Sequence, residues 1–501
     1  MTSKKIPYST LSTAATFILA LLLIVPAVPC EGCFAIVVGK NASADGYVIM
    51  AHNEDDDHPQ IVNHYKVPRK KHVPGEKVKL LNGGQLDQVS QTWSYIWSEM
   101  PGMLFSDGYI NEWGVSIISN MCPSREDKPE ITDGGIGYML RRLVVERAKT
   151  AREGVILTGR LVERFGYIDS GRTYIICDPD EGWLFCVVNG KHWLAKRVGD
   201  NQVAMIANTY TVHRVDLSDK DNFLASDDII EYAVSRGWYD PERDGPFDFA
   251  DVYANPESAS ALYNFGRRWA GLRYITYEPA PLGPELPFSV VPRCKIGVGD
   301  IMRIMRDHYE GTRLQSSSST KSPHESGRPI CVDRTQTSFI VQLRRSMPLD
   351  IGIVYWTCLA SPCTSTYIPF HFGIANFPVG FSLESQQPSK DFYEAKIDSP
   401  FRADPSEAFW TFSNFRSKID NDYANKIARV EVLCRVVERN ALALQKPLEE
   451  TALRLYTEDK TAAMQILANY SNGIYLSSME TMDRVLSEKQ SPVWQQTLSR
   501  Q

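Results

Sequence analysis

From residue 33 onward the chain alternates between short apolar runs and turn chemistry. "CFAIVVG" is apolar and β-branched, "NASADG" is a turn, and "YVIMAHN" predicts a second strand. "MLFSDGYINEWGVSIISN" (103–120) predicts a hairpin centred on residues 111–114. The spacing then changes to that of helices. "GIGYMLRRLVVERA" (135–148) and "AREGVILTGRLVERFG" (151–166) repeat their apolar positions every three to four residues. "RTYIICD" and "GWLFCVVNGKHWLAKRV" predict a strand hairpin around residues 179–182, and "QVAMIANTY" a further strand. Residues 218–292 are less regular, rich in proline and aromatics, and hold "NFGRRWAGLRYI". After a serine-rich loop at 316–326 come two strands, "QTSFIVQLRR" and "IGIVYWTCLA". From about residue 407 the pattern is helical to the end. Strands, then inserted helices, then more strands predict an α+β fold of layered sheets with helices outside.

The first 30 residues follow another logic. Lys4 and Lys5 precede the run "FILALLLIV" (17–25), which Pro26 and Pro29 close. That is the layout of a secretory signal, and the run is short for a spanning helix. An uncleaved N-terminal anchor is the alternative. Residues 1–32 are therefore expected to be a signal or propeptide, 33–406 a catalytic domain, and 407–501 a helical region packed on it. The expected location is secreted or periplasmic, or membrane-anchored if the signal stays uncleaved.

The 501 residues carry a net charge of −6 and no long basic run, which argues against nucleic acid as a partner. Export favours disulfides among the ten cysteines, eight of which remain if Cys30 is removed and Cys33 is kept as a thiol. Cys30 and Cys33 match C-x-x-C, but no second pair follows at finger spacing, so no metal and no cofactor is expected. "HNEDDDH" (52–58) lacks the spacing of a calcium loop, and Asp56 and Asp57 are expected in a solvated loop. His308 is expected to be a packed, hydrogen-bonded histidine.

Cys33 changes meaning if processing leaves it at an N-terminus. An α-amine titrates near 7.7–8.0 and a thiol near 8.5, so the amine can take the thiol proton at about neutral pH. Nucleophile and base then come from one residue.

Cys33 with "VGKNASADG" and "AHNED" resembles the start of the N-terminal-nucleophile cysteine dipeptidases, the dipeptidase-A family to which secernins are related. "INEWGVSIISN", "MIANTYTVHRVDL", "MRDHYEGT", "RPICVDRTQTSFIVQLR" and "VYWTCLASPCTSTYIPFHFG" are similar to its later blocks, in order. The resemblance implies a four-layer αββα N-terminal-nucleophile hydrolase fold and thiol-dependent cleavage of dipeptides through a thioester, with no membrane contact once processed. It implies that Cys33 attacks the scissile carbonyl and that Asp55 orients the α-ammonium. Asn208 would stabilise the oxyanion, Asn111 would line the same pocket, and Arg267, with Arg268 as the alternative, would favour the thiolate. Relatives usually carry Arg where this chain has His52, so a titrating charge is expected beside the thiol, with activity falling sooner on the alkaline side. Two other functions stay open: an amidase of acyl amides on the same fold, as in the related bile-salt and penicillin amidases, and a membrane-tethered, non-enzymatic relative with an unprocessed N-terminus.

Overall fold

The computed structural model describes residues 32–56, 61–100, 106–316, 322–325, 327–381 and 406–487. The segment expected to be a signal, Cys30, Asp57 and part of the serine-rich loop lie outside them. Two antiparallel sheets form the centre. The first has seven strands. Its middle is made by β1 (Phe34–Val38) and β2 (Val48–Asp55), with Val203–Ile206 and Ser289–Val290 beyond β1. Thr335–Leu343, Ile353–Leu359 and Ile368–His371 follow beyond β2. Every residue of β1 and β2 is buried, because central strands here are covered on both faces.

The second sheet has eight strands, running from Phe223–Ala225 at one edge to Asn63–Val67 at the other. "GWLFCVVNGKHWLAKRV" is not one strand but two, Gly182–Gly190 and Trp193–Val198, folded back on each other. Alternate residues in this sheet serve different cores. Ile118, Ile175 and Leu184 join the core between the sheets, whereas Ile117, Ile176, Trp183 and Phe185 pack with the outer helices. The sheets approach closely. A Cβ on Gly182 would come within 2.7 Å of Val37 Cγ1, and one on Gly108 within 2.7 Å of Phe339 Cζ.

Helices Met139–Arg147 and Ala151–Phe165 cover the outer face of the second sheet. Thr150 caps the latter by accepting the Glu153 N–H at 3.1 Å. Leu262–Ile275, Val298–Ile304 and the C-terminal helices Ala408–Asp420, Tyr423–Leu455 and Lys460–Ser487 cover the first. The order of layers is therefore helix, sheet, sheet, helix. Phe412, Ile419, Val430 and Leu467 of the C-terminal helices share one core with Ile36 and Ile340 of the first sheet. A buried ion pair adds to this, with both Arg344 Nη atoms on the Glu449 carboxylate at 2.6 and 2.7 Å and His371 Nε2 at 2.8 Å from it. Residues 407–487 are thus the outer layer of the first sheet.

Export predicted disulfides, and here the structure differs. Among the described residues all nine cysteines are free thiols, eight of them buried. Among the described residues, no helix is long and apolar enough to cross a membrane.

Candidate active site

Cys33 immediately precedes β1 and is 3% exposed. The register pairs Phe34 with Asn53 and Ala35 with His52, so Cys33 falls beside Glu54. Its Sγ lies 3.4 Å from Glu54 Oε2. Two residues apart on a strand means one face. His52 and Glu54 accordingly point together toward the second sheet, where His52 Nδ1 meets Asp107 Oδ1 at 2.9 Å and Glu54 Oε2 at 3.7 Å. Asn53 and Asp55 serve other partners. Asn53 donates to the carbonyls of Met305 and Ile330 at 3.0 and 2.9 Å, and Asp55 Oδ1 accepts from Thr335 Oγ1 at 2.7 Å. Asp55 Oδ2 is buried with no hydrogen-bond partner among the described residues.

Arg267, on the Leu262–Ile275 helix, closes the site from the helix layer. Its Nη1 donates to the carbonyls of Gly32 and Cys33, each at 2.9 Å. Its Nη2 donates to Asn208 Oδ1 at 2.7 Å and to Asn264 Oδ1 at 3.1 Å. Asn208 Nδ2 in turn donates to the Met121 carbonyl at 2.9 Å. Cys33, Asp55, Asn208 and Arg267 therefore do converge.

Arg268 does not. It points away, donating to the carbonyls of Met205 and Pro287 at 3.0 and 2.8 Å.

Asn111 is a correction to the sequence-based expectation. Its Nδ2 donates to the carbonyls of Val145 and Ala148, at 2.9 and 2.8 Å, and its Oδ1 accepts the N–H groups of Trp113 and Val115. All of its side-chain capacity ties the hairpin turn to the end of the Met139–Arg147 helix, on the far side of the second sheet. The asparagine of this hairpin that reaches the first sheet is Asn120, nine residues later, whose Nδ2 donates to the carbonyls of Ile206 and Ala207 just before Asn208. Its strand position, facing inward like Ile118, was the signal available in the sequence.

His52 is a second correction. It is completely buried, and desolvation pushes its titration down to about 4. It stays neutral at neutral pH and supplies no cation beside the thiol. Arg172, from the Tyr167–Cys177 strand, supplies one instead. It pulls down both the Cys33 thiol and Glu54. It also holds Tyr167 and Ser119 through Nε and Nη1, at 3.0 and 3.2 Å. Nothing in its local sequence marks it.

Two further residues, Glu54 and Arg328, were missed. Burial first, and then the charge of Asp107, raise Glu54 to about 8. Burial raises Asp55 to about 7, although Thr335, Arg267 and Arg328 oppose the shift. Burial and these two acids push the Cys33 thiol well up. Arg328 lies against Gly32, with its guanidinium 4.5 Å from the centre of the Tyr263 ring. Its Nε and Nη2 are buried without hydrogen-bond partners among the described residues. Asp56, expected in a solvated loop, is buried.

The Cys33 thiol, two buried acids and three guanidinium groups thus surround the Gly32–Cys33 peptide bond. Comparison with known proteins agrees in extent. The family described as Peptidase family C69 matches residues 32–434. A probable dipeptidase of Salmonella dublin is 29% identical over 361 residues, 70% of this chain and 82% of the relative. A probable dipeptidase of Latilactobacillus sakei is 28% identical over 354 residues, 68% of this chain and 74% of the relative. Among solved structures, penicillin V acylase from Agrobacterium tumefaciens aligns with a TM-score of 0.34 at 11% identity, over 70% of this chain and 89% of that one.

Proposed function

The chain belongs to peptidase family C69, and we propose that it is an exported cysteine dipeptidase whose nucleophile, Cys33, becomes N-terminal when residues 1–32 are removed. The observation that carries this is the grip of Arg267 Nη1 on the two carbonyls flanking the Cys33 nitrogen. While Cys33 is internal, its thiol sits beside two acids and has no amine to accept its proton. Release of Gly32 puts an α-ammonium at that place. Asp55 Oδ2, buried and without a hydrogen-bond partner among the described residues, is an acceptor for it. In its neutral form the amine takes the thiol proton, and the ammonium so formed offsets the acids beside the thiolate.

In the reaction the Cys33 thiolate adds to the scissile carbonyl carbon. Arg267 Nη1, freed from Gly32, and the Asn208 amide face the developing oxyanion. The α-ammonium gives its proton to the departing amine as the C–N bond breaks. Water, activated by the same amine, then cleaves the thioester and regenerates Cys33.

The charges around the thiol favour a dipeptide over an acyl amide. A dipeptide brings a free amine and a free carboxylate. Glu54 and Asp55 suit the first, and the Arg328 nitrogens, without hydrogen-bond partners among the described residues, suit the second. An acylase needs an apolar slot, and the groups nearest the thiol are polar and ionisable.

The test is the intact mass of the mature protein together with hydrolysis of dipeptides. A chain beginning at Cys33, labelled there first by iodoacetamide with matching loss of activity, is expected, and Cys33→Ala abolishes turnover. A fully active protein that retains Gly32, or complete inactivation with Cys33 unlabelled, rules the proposal out.

A further inference from the structure

Away from the thiol, four buried side chains turn their ligand atoms toward one another. His308 follows the Val298–Ile304 helix, and His324 lies in the short Pro323–Glu325 turn. Cys331 precedes the Thr335–Leu343 strand, and Cys363 follows Ile353–Leu359. Their nitrogen and sulfur atoms all lie within 4.8 Å of one another. His308 Nε2 is 3.2 Å from His324 Nε2, which is 3.3 Å from Cys363 Sγ and 3.8 Å from Cys331 Sγ.

The outer nitrogens decide what the inner ones can be. His308 Nδ1 lies 2.8 Å from Glu310 Oε1, and the other oxygen of Glu310 accepts the His308 backbone N–H at 2.8 Å. His324 Nδ1 lies 2.9 Å from Ser322 Oγ and 3.3 Å from Asp420 Oδ1. An ionised carboxylate only accepts, so each imidazole carries its proton on Nδ1. Both Nε2 atoms then present lone pairs to each other in a buried space. Two lone pairs at that distance need a proton or a metal ion between them, and the sulfurs of Cys331 and Cys363 beside them complete a ligand set for the second. Carboxylates on the outer nitrogens are also how proteins fix metal-binding histidines.

The spacing fits one ion. Tetrahedral zinc holds nitrogen at about 2.0–2.1 Å and sulfur at about 2.3 Å, which gives nitrogen–nitrogen edges of about 3.3 Å and nitrogen–sulfur edges of about 3.5 Å. The nitrogen–nitrogen distance lies close to the first edge, and the two nitrogen–sulfur distances bracket the second. We propose that His308, His324, Cys331 and Cys363 form a closed, structural Cys2His2 zinc site. Both thiols lose their protons on binding, so the two thiolates neutralise the ion. With no position left for water, the site is not catalytic.

This proposal departs from the expectation of no metal. The ligands are separated by 16, 7 and 32 residues, a pattern unlike a finger, and only the fold assembles them. Their place explains their use. Cys331 N–H bonds the Asp307 carbonyl at 3.1 Å, and Asn53 of β2 bonds the carbonyls of Met305 and Ile330. The ion would staple the segments that brace β2, and with it Asp55 and Glu54, while Asp420 ties in the C-terminal helices.

The experiment measures metal content in the Cys33→Ala protein, purified without chelator and dialysed with zinc. That variant removes the thiol of the Cys33, His52 and Glu54 group, whose ligand atoms are also mutually close. One zinc per chain is expected. Cobalt in its place should give the intense visible bands of a tetrahedral ion and near-ultraviolet thiolate charge transfer. Cys363→Ser and His324→Gln should lose the ion, and the protein stripped of zinc should melt at a lower temperature. Cobalt and zinc content of the Cys33→Ala protein need no further variant to fold. Dialysed protein without bound zinc, a cobalt spectrum lacking thiolate charge transfer, or a Cys331–Cys363 disulfide in the protein as isolated overturns the proposal. Dipeptidase activity does not enter this test, so it stands or falls apart from the nucleophile.

Discussion

Arg267 and Cys33 are joined through the backbone: Nη1 of the arginine donates at 2.9 Å to the Cys33 carbonyl and, at the same distance, to the carbonyl of Gly32 before it. One guanidinium therefore spans the bond whose cleavage would create the nucleophile. Its other arm rests on Asn208 and Asn264. Burial lowers Arg267 to about 10, which still leaves it charged at neutral pH.

Arg267→Lys keeps a positive charge but not the fork. An ammonium cannot reach both carbonyls and both asparagines from one position. Turnover should fall by about 10²-fold or more, the scale of one lost oxyanion donor, while the protein stays folded. Steady-state kinetics beside circular dichroism check this, and a lysine variant with wild-type turnover would remove Arg267 from the transition state.

Asn208→Ala takes away both a candidate oxyanion donor and the oxygen that holds Arg267. The catalytic constant should drop by about 10²–10³-fold with little change in the Michaelis constant, because the interaction acts in the transition state. Normal turnover with weakened binding would move Asn208 into substrate contact instead.

Asn111→Ala should behave in the opposite way. It leaves the Val145 and Ala148 carbonyls without their donor, a loss of about 1–3 kcal/mol of stability. Kinetic constants per folded molecule should not change. Chemical denaturation and active-site titration separate the two effects, and a selective loss of turnover at full stability would return Asn111 to the pocket.

His52 and Glu54 should give the stability curve opposite slopes. The fold keeps His52 neutral down to about 4, whereas an exposed histidine protonates near 6.5. Its contribution is present above 6.5 and is lost as pH falls toward 4. Glu54 stays protonated up to about 8 in the fold but ionises near 4.5 when unfolded. Its contribution is present below 4.5 and is lost as pH rises toward 8, by at most about 1.4 kcal/mol per pH unit. Glu54→Gln should therefore flatten the alkaline decline in melting temperature, and His52→Gln the acidic one. Melting curves of the three proteins from about pH 5 to 8 test both signs. A Glu54→Gln curve parallel to wild type would mean that Glu54 is ionised in the fold. Because His52 is already neutral, His52→Gln should also leave the shape of the activity profile unchanged between about pH 5 and 9.

What the sequence determined by itself is what short spacing controls. Strands β1 and β2, the hairpin ending at Asn120, the helices after residue 138 and the C-terminal helices follow from apolar periodicity over five to thirty residues. The blocks from Cys33 to the "VYWTC" strand carry the family resemblance for the same reason, since each is continuous in the chain. Tertiary structure decided the rest. Asn111 and Asn120 belong to one hairpin, and only the packing of the second sheet sends the first to a helix end and the second across to the first sheet. His52 reads as a titrating group in any local window, but desolvation between two sheets keeps it neutral. Arg172 and Arg328 gain their meaning from the strands and turns that carry them to Cys33. His308, His324, Cys331 and Cys363 have no recognisable spacing, because their meeting point is set by how a helix, a turn and two strands cross. Burial and long-range juxtaposition set these charges and contacts, and neither is a property of neighbouring residues in the chain.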